Sequence, residues 1–136
     1  MPDMLTYCGG RCDYCPRYLA TQSGDPEQLA EVAELWHRLG WRDRVLSPEE
    51  IACRGCTPAS WCRYGIAACA AGRNLGNCGE CREYPECGRL QDMFARNAAY
   101  HEICRRRCSL GEYAQLRLSS FSKRANLEEA RKRKDV

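Results

Sequence analysis

Residues 8–21 read CGGRCDYCPRYLAT. Cys8, Cys12 and Cys15 follow one another as C-x3-C-x2-C in a glycine-marked loop, and Pro16 stands directly after the third. Two residues between cysteines let the backbone fold into a tight knuckle, so that both sulfurs point at one ion and backbone N–H groups donate to them. The same C-x2-C core returns at Cys53 and Cys56, with Gly55 between them, and at Cys78 and Cys81, with Gly79 between them. Cys62 and Cys69 follow the second pair, and Cys87 completes C-x2-C-x5-C with the third. Three knuckles in one short chain are a specific signal, whereas a single one is weak.

The chain has 136 residues and 12 cysteines. That length suits one domain and is too short for a (β/α)8 barrel, which needs roughly 200 residues or more. This also sets aside the radical S-adenosylmethionine enzymes, whose cluster-binding cysteines share the spacing of Cys8, Cys12 and Cys15. A mean hydropathy of −0.61 and 29% charged residues predict a soluble protein. The first ten residues show neither the basic stretch nor the apolar stretch of a secretory signal. No run of about 18 apolar residues suggests a membrane span. The expected setting is therefore the reducing cytoplasm, where clustered cysteines serve as metal ligands more often than as disulfides.

The formal charge of +3 counts every cysteine as neutral. Removing twelve thiol protons and adding three divalent ions would take it to −3, so net basicity is no argument for nucleic acid. The distribution says more. Residues 100–136 hold ten Lys/Arg against five Asp/Glu, and residues 1–99 hold eleven against thirteen. Any basic patch belongs to the C-terminal part, where Arg105 to Arg107, Lys123, Arg124 and the run Arg131 to Lys134 lie.

Between the cysteine loops the pattern is helical. A short helix or turn begins near Tyr18 and breaks at Ser23-Gly24. Asp25 is a fit N-cap with Pro26 behind it, and Leu29, Val32, Ala33, Trp36 and Leu39 follow at helical spacing up to Gly40. Ser47 with Glu50, and Ser109 with Glu112, are capping boxes. The first predicts one helical turn and the second a last helix carrying Tyr113, Leu116, Leu118 and Phe121. An Ala-rich stretch predicts a helix over 60–72, and apolar spacing predicts another over 89–107. On the latter, His101, Cys104 and Cys108 fall on one face, which makes a mixed nitrogen–sulfur site there an open reading. His37 has no cysteine near it in sequence. No alternating strand pattern, phosphate loop, nucleophile elbow or HExxH motif is present, so no catalytic constellation is recognised.

These stretches, together with ACAAGRNLGNCGECREYPEC (Ala68 to Cys87) and CSLGEYAQLRLSSFSKRANLE (Cys108 to Glu128), resemble a cysteine-rich prokaryotic family, the domain of unknown function 3795. The resemblance implies metal binding, with zinc the expected ion, and no established activity. The cysteines it matches are Cys8, Cys12, Cys15, Cys53, Cys56, Cys62, Cys69, Cys78, Cys81 and Cys87. Cys104 lies outside the match. Glu86 stands between Pro85 and Cys87, where members often read Pro-Cys directly.

The reading is a mainly α, small, irregular, metal-stabilised domain with cysteine-rich knuckle loops and a C-terminal helical hairpin. One domain is expected over 1–128 and a charged, frayed tail over 129–136. The ten matched cysteines would hold two or three Zn2+ ions as structural sites in a protein-interaction module. The alternative is an iron–sulfur cluster in a redox or electron-transfer role, to which all-sulfur sites and the Cys15-Pro16 pair are also suited. A protein partner is expected before nucleic acid, and a membrane is not expected.

Overall fold

Three prolines open helices. Pro16, Pro26 and Pro48 are the first residues of α1 (Pro16–Ser23), α2 (Pro26–Arg38) and α3 (Pro48–Ile51). At that position a missing N–H breaks no helical bond, and the ring already holds φ near the helical value. Asp25 caps α2 by accepting from the Glu27 amide at 2.9 Å. Ser47 and Glu50 close the expected capping box on α3, and Ser109 and Glu112 close the one on α6 (Leu110–Ser119). The structure is a computed structural model that describes residues 5–56 and 63–134. Its remaining helices are α4 (Ile66–Gly72), α5 (Gly88–Arg107) and α7 (Lys123–Lys134), with one-turn 3-10 helices at Cys12–Tyr14, Cys78–Glu80 and Tyr84–Glu86. The fold is mainly α, and among the described residues the only extended pairing is an isolated bridge between Leu5 and Arg11.

Two cores form. In the first, Val32, Ala33, Leu35, Trp36 and Leu39 of α2 pack with Ala20, Ile51, Cys104 and Leu116. In the second, Ile66, Ala70, Cys78, Tyr84, Leu90, Met93 and Leu127 come together. Leu39, Ile51, Leu90, Met93, Leu116 and Leu127 are fully buried, each worth about 1.5–3 kcal/mol in apolar transfer.

Three expectations need correction. The helix read over 60–72 begins only at Ile66, because Gly65 has left-handed backbone (φ +71°) that a right-handed helix cannot include. Its first residues, and Cys62 with them, lie outside the described residues. The C-terminal hairpin is three helices, since α6 ends at Ser119 and α7 follows. The tail expected from 129 onward is helical as far as Lys134. Helix α7 is held by its two buried apolar residues, with Leu127 fully buried and Ala130 buried.

Much of the C-terminal basic charge is engaged within the fold. The Arg124 guanidinium lies 4.2 Å from the centre of the Phe94 ring. Arg131 sits over Tyr84 and donates to the carbonyls of Gly79 (3.2 Å) and Cys81 (2.8 Å). The backbone of α7 presses directly on two glycines. A Cβ at Gly9 would fall 2.5 Å from the Lys123 carbonyl oxygen, on a backbone that already has φ +97°. A Cβ at Gly79 would collide with the Leu127 carbonyl oxygen.

Gly79→Ala should therefore destabilise the protein by about 1–3 kcal/mol. Gly72→Ala, at a helical position with open space around it, should be neutral or stabilising by up to about 1 kcal/mol. Leu127→Ala should cost about 2–5 kcal/mol. Chemical denaturation of the three variants checks the ranking; equal midpoints for Gly79→Ala and Gly72→Ala would contradict the close approach.

Candidate metal centre

The described cysteines are all free thiols, and they divide between two clefts and one separate pair. The first cleft, of about 590 Å3, is lined by Cys12, Cys15, Cys53 and Cys56, with Cys8 at its edge toward Lys123. Cys12 opens a 3-10 turn and Cys15 is the N-cap of α1. Helix α1 also fixes the second knuckle. Thr21 Oγ1 accepts from the Cys53 amide at 2.9 Å. The Arg17 guanidinium donates to the carbonyls of Ile51 and Ala52. Two segments nearly 40 residues apart are thereby held with their thiols on one space.

Backbone amides point at these sulfurs. Burial pushes the Cys15 thiol up, while the Tyr18 and Arg17 amides, at the start of α1, favour its thiolate. Burial and the neighbouring Cys15 push Cys12 up to about 11; the Cys56 amide opposes them, and Cys53 and Cys56 add to the rise. N–H groups aimed at sulfur are the second shell that a metal–thiolate knuckle uses, and a helix N-terminus favours thiolate.

The second cleft, of about 330 Å3, is lined by Cys69, Cys78, Cys81 and Cys87. Cys69 comes from α4, Cys78 and Cys81 from the third knuckle, at the 3-10 turn Cys78–Glu80, and Cys87 is the N-cap of α5. Asn77 shapes the turn by accepting from the Gly79 amide at 2.8 Å. Arg73 reaches Cys81 Sγ at 3.6 Å and pairs with Glu83. Burial, followed by the charges of Cys8, Cys87, Cys81 and Cys69, pushes Cys78 up to about 12.

Cys8 parts company with Cys12 and Cys15 despite their shared motif. It packs against the second core, beside Cys78, and the Cys78 amide donates to the Tyr7 carbonyl at 2.9 Å. Burial raises the Cys8 pKa, but Lys123, the Thr6 hydroxyl and the Gly10 amide outweigh it and the thiol ends below its ordinary value. Cys104 and Cys108 form the separate pair, with sulfurs 2.9 Å apart. His101 does not join them: its Nε2 shares a 2.9 Å hydrogen bond with the Tyr113 hydroxyl, and its ring stacks on Phe121. The Nδ1 of His37 lies 3.1 Å from the Arg42 carbonyl. Cys62 lies outside the described residues.

Among the described residues, no three His, Cys, Asp or Glu side chains are gathered into a group that could hold a metal ion as they stand. The donor set nevertheless fits a thiolate-bound metal in kind: each cleft carries at least four sulfurs, among them at least one C-x2-C pair. Sequence reasoning found every one of these cysteines but did not place any cation at the first cleft, where Arg17, Arg42 and Lys123 are among those that line it. They come from three separate elements, and no local motif joins them.

The profile of a family described as a protein of unknown function (DUF3795) matches residues 4–92. This chain belongs to that family. The DUF3795 match takes in the cysteines of both clefts and stops at Asp92, so it excludes Cys104, Cys108 and the stretch Cys108 to Glu128 that also resembled the family in sequence. No curated protein and no solved structure matches the chain.

Cys104 is fully buried, and its thiol is pushed up to about 12 by burial and by Cys108. It therefore stays protonated at pH 8. Iodoacetamide labelling at that pH should modify Cys104 at least about 100-fold more slowly in the native protein than in denaturant. Peptide mass spectrometry reads the rates, and equal rates would contradict its placement.

Proposed function

We propose that this DUF3795 protein is a metal-binding protein holding structural zinc, one ion in each thiol cleft, and that the fixed scaffold serves as a protein-interaction module in the reducing cytoplasm. One observation carries the reading. Cys12, Cys15, Cys53 and Cys56 arrive from two distant segments at one cleft, with backbone amides of α1 and of Cys56 directed at the sulfurs. Four thiolates suit tetrahedral zinc. Cys69, Cys78, Cys81 and Cys87 offer a second set of four.

The energetic role follows from size. A structural zinc site can supply on the order of 10 kcal/mol to folding, comparable with the whole net stability of an ordinary domain, about 5–15 kcal/mol. Bound zinc would fix the two loops and supply no redox chemistry. The helices would then be the surface offered to a partner. No helix among the described residues is long and apolar enough to cross a membrane. A second reading, an iron–sulfur cluster, is favoured by Pro16 directly after Cys15, a pairing also found in ferredoxin-type loops.

Protein purified without oxygen should carry about two zinc ions per chain and no acid-labile sulfide. Cys12→Ser and Cys81→Ser should each remove about one ion, and the double variant both. Iron with matching sulfide would replace zinc by the cluster reading. Protein free of zinc and iron alike would overturn metal binding altogether.

A further inference from the structure

The first cleft is strongly and unevenly charged. Its walls carry Arg11, Arg17, Arg42, Arg54 and Lys123, and no Asp or Glu is among the described residues that line it. Three arginines elsewhere meet carboxylates across the fold, Arg38 with Glu112, Arg44 with Glu50 and Arg73 with Glu83, as Arg11 on the cleft wall does with Asp13. In the cleft, Arg17 donates to two backbone carbonyls and Arg42 to the Trp41 carbonyl at 2.8 Å, and neither is ion-paired with a carboxylate among the described residues. The two guanidiniums are close enough that, after burial, the charge of Arg17 is what holds Arg42 below its ordinary value. Gathering like charges in a half-buried cleft is costly, and an anion in the cleft removes the cost.

A metal–thiolate centre would supply part of that anion. Four thiolates around one divalent ion leave two negative charges. The wall cations outnumber these even with Arg11 paired to Asp13. The hydroxyls of Ser119 and Ser120, linked at 3.1 Å, lie on the same cleft and add polar groups of the kind that orient an oxyanion. Planar guanidinium forks match phosphate geometry better than a point charge does. A volume of about 590 Å3 lies in the range of small-molecule sites.

We infer that this cleft binds a small phosphate-bearing molecule beside the Cys12–Cys56 thiols, with Arg42 and Arg54 as the anion-binding side chains. The inference goes beyond the metal reading and does not require it, since the wall cations are present whether or not the thiols hold an ion.

Calorimetric titration of the protein as purified with pyrophosphate, at low salt, tests it. The expected result is saturable binding that weakens about tenfold or more in Arg42→Gln and in Arg54→Gln. Arg54 is exposed, so its variant keeps the fold even if Arg42→Gln does not. Arg105→Gln, whose side chain lies beside Glu102 outside the cleft, should bind like the parent protein. Absence of saturable binding, or equal affinity in all variants, would overturn the inference. So would tighter binding of a single-stranded oligonucleotide than of pyrophosphate. Loss of metal in step with loss of pyrophosphate binding would also overturn it, by showing that the cations serve the thiolates alone. Failure of the anion site leaves zinc content unchanged, and failure of zinc binding leaves the pyrophosphate titration intact, so the two readings fall separately.

Discussion

Two carbonyl oxygens one turn apart on α7, those of Lys123 and Leu127, rest on Gly9 and Gly79, where no Cβ fits. Each glycine directly follows a cysteine, Cys8 or Cys78. The same helix adds Asn126, whose side-chain amide donates to the Gly9 carbonyl at 2.9 Å, and Arg131, which binds the carbonyls of Gly79 and Cys81. Leu127 fills the second core between them. One C-terminal helix thus clamps an N-terminal cysteine loop to a central one, and Cys8 meets Cys78 as a consequence. Backbone against backbone is a stiff constraint, because neither side can give way by changing a rotamer.

That clamp accounts for the division of the thiols. With Cys8 drawn toward α7 and the second core, the chain turns through Gly10 and carries Cys12 and Cys15 along the first cleft to the start of α1. There α1 has already captured the Cys53 loop through Arg17 and Thr21. Each thiol set therefore sits against its own core, the first beside Trp36 and the second beside Tyr84 and Leu90. In the proposed function, zinc completes what the helices begin: the backbone brings the sulfurs to a common cleft, and the ion closes them into a site.

Features set by neighbouring residues were legible in the sequence. Pro26 behind Asp25, and the two Ser–Glu capping boxes, act within one helical turn, and α2, α3 and the start of α6 follow them. The apolar spacing of α5 was equally plain. Helix α7 was not, because KRANLEEARKRK has a single large apolar residue. Its stability comes from Leu127 and from glycines more than 40 residues away. The cysteine motif was visible but not its partition, since C-x3-C-x2-C looks like one unit until Gly9 is seen pinned under α7. His101 shows the converse: its helical spacing to Cys104 was real, yet aromatic stacking on Phe121 and the Tyr113 hydroxyl claim the ring. The cationic wall of the first cleft is assembled from α1, the segment after α2, the Cys53 loop and α7, and only the folded chain reveals it.

X-ray absorption at the zinc edge of protein purified without oxygen tests the central claim most directly. The account predicts a shell of four sulfurs at about 2.3 Å and no nitrogen or oxygen ligand. A shell containing imidazole or carboxylate would contradict it, because both clefts present their cysteines as the donors.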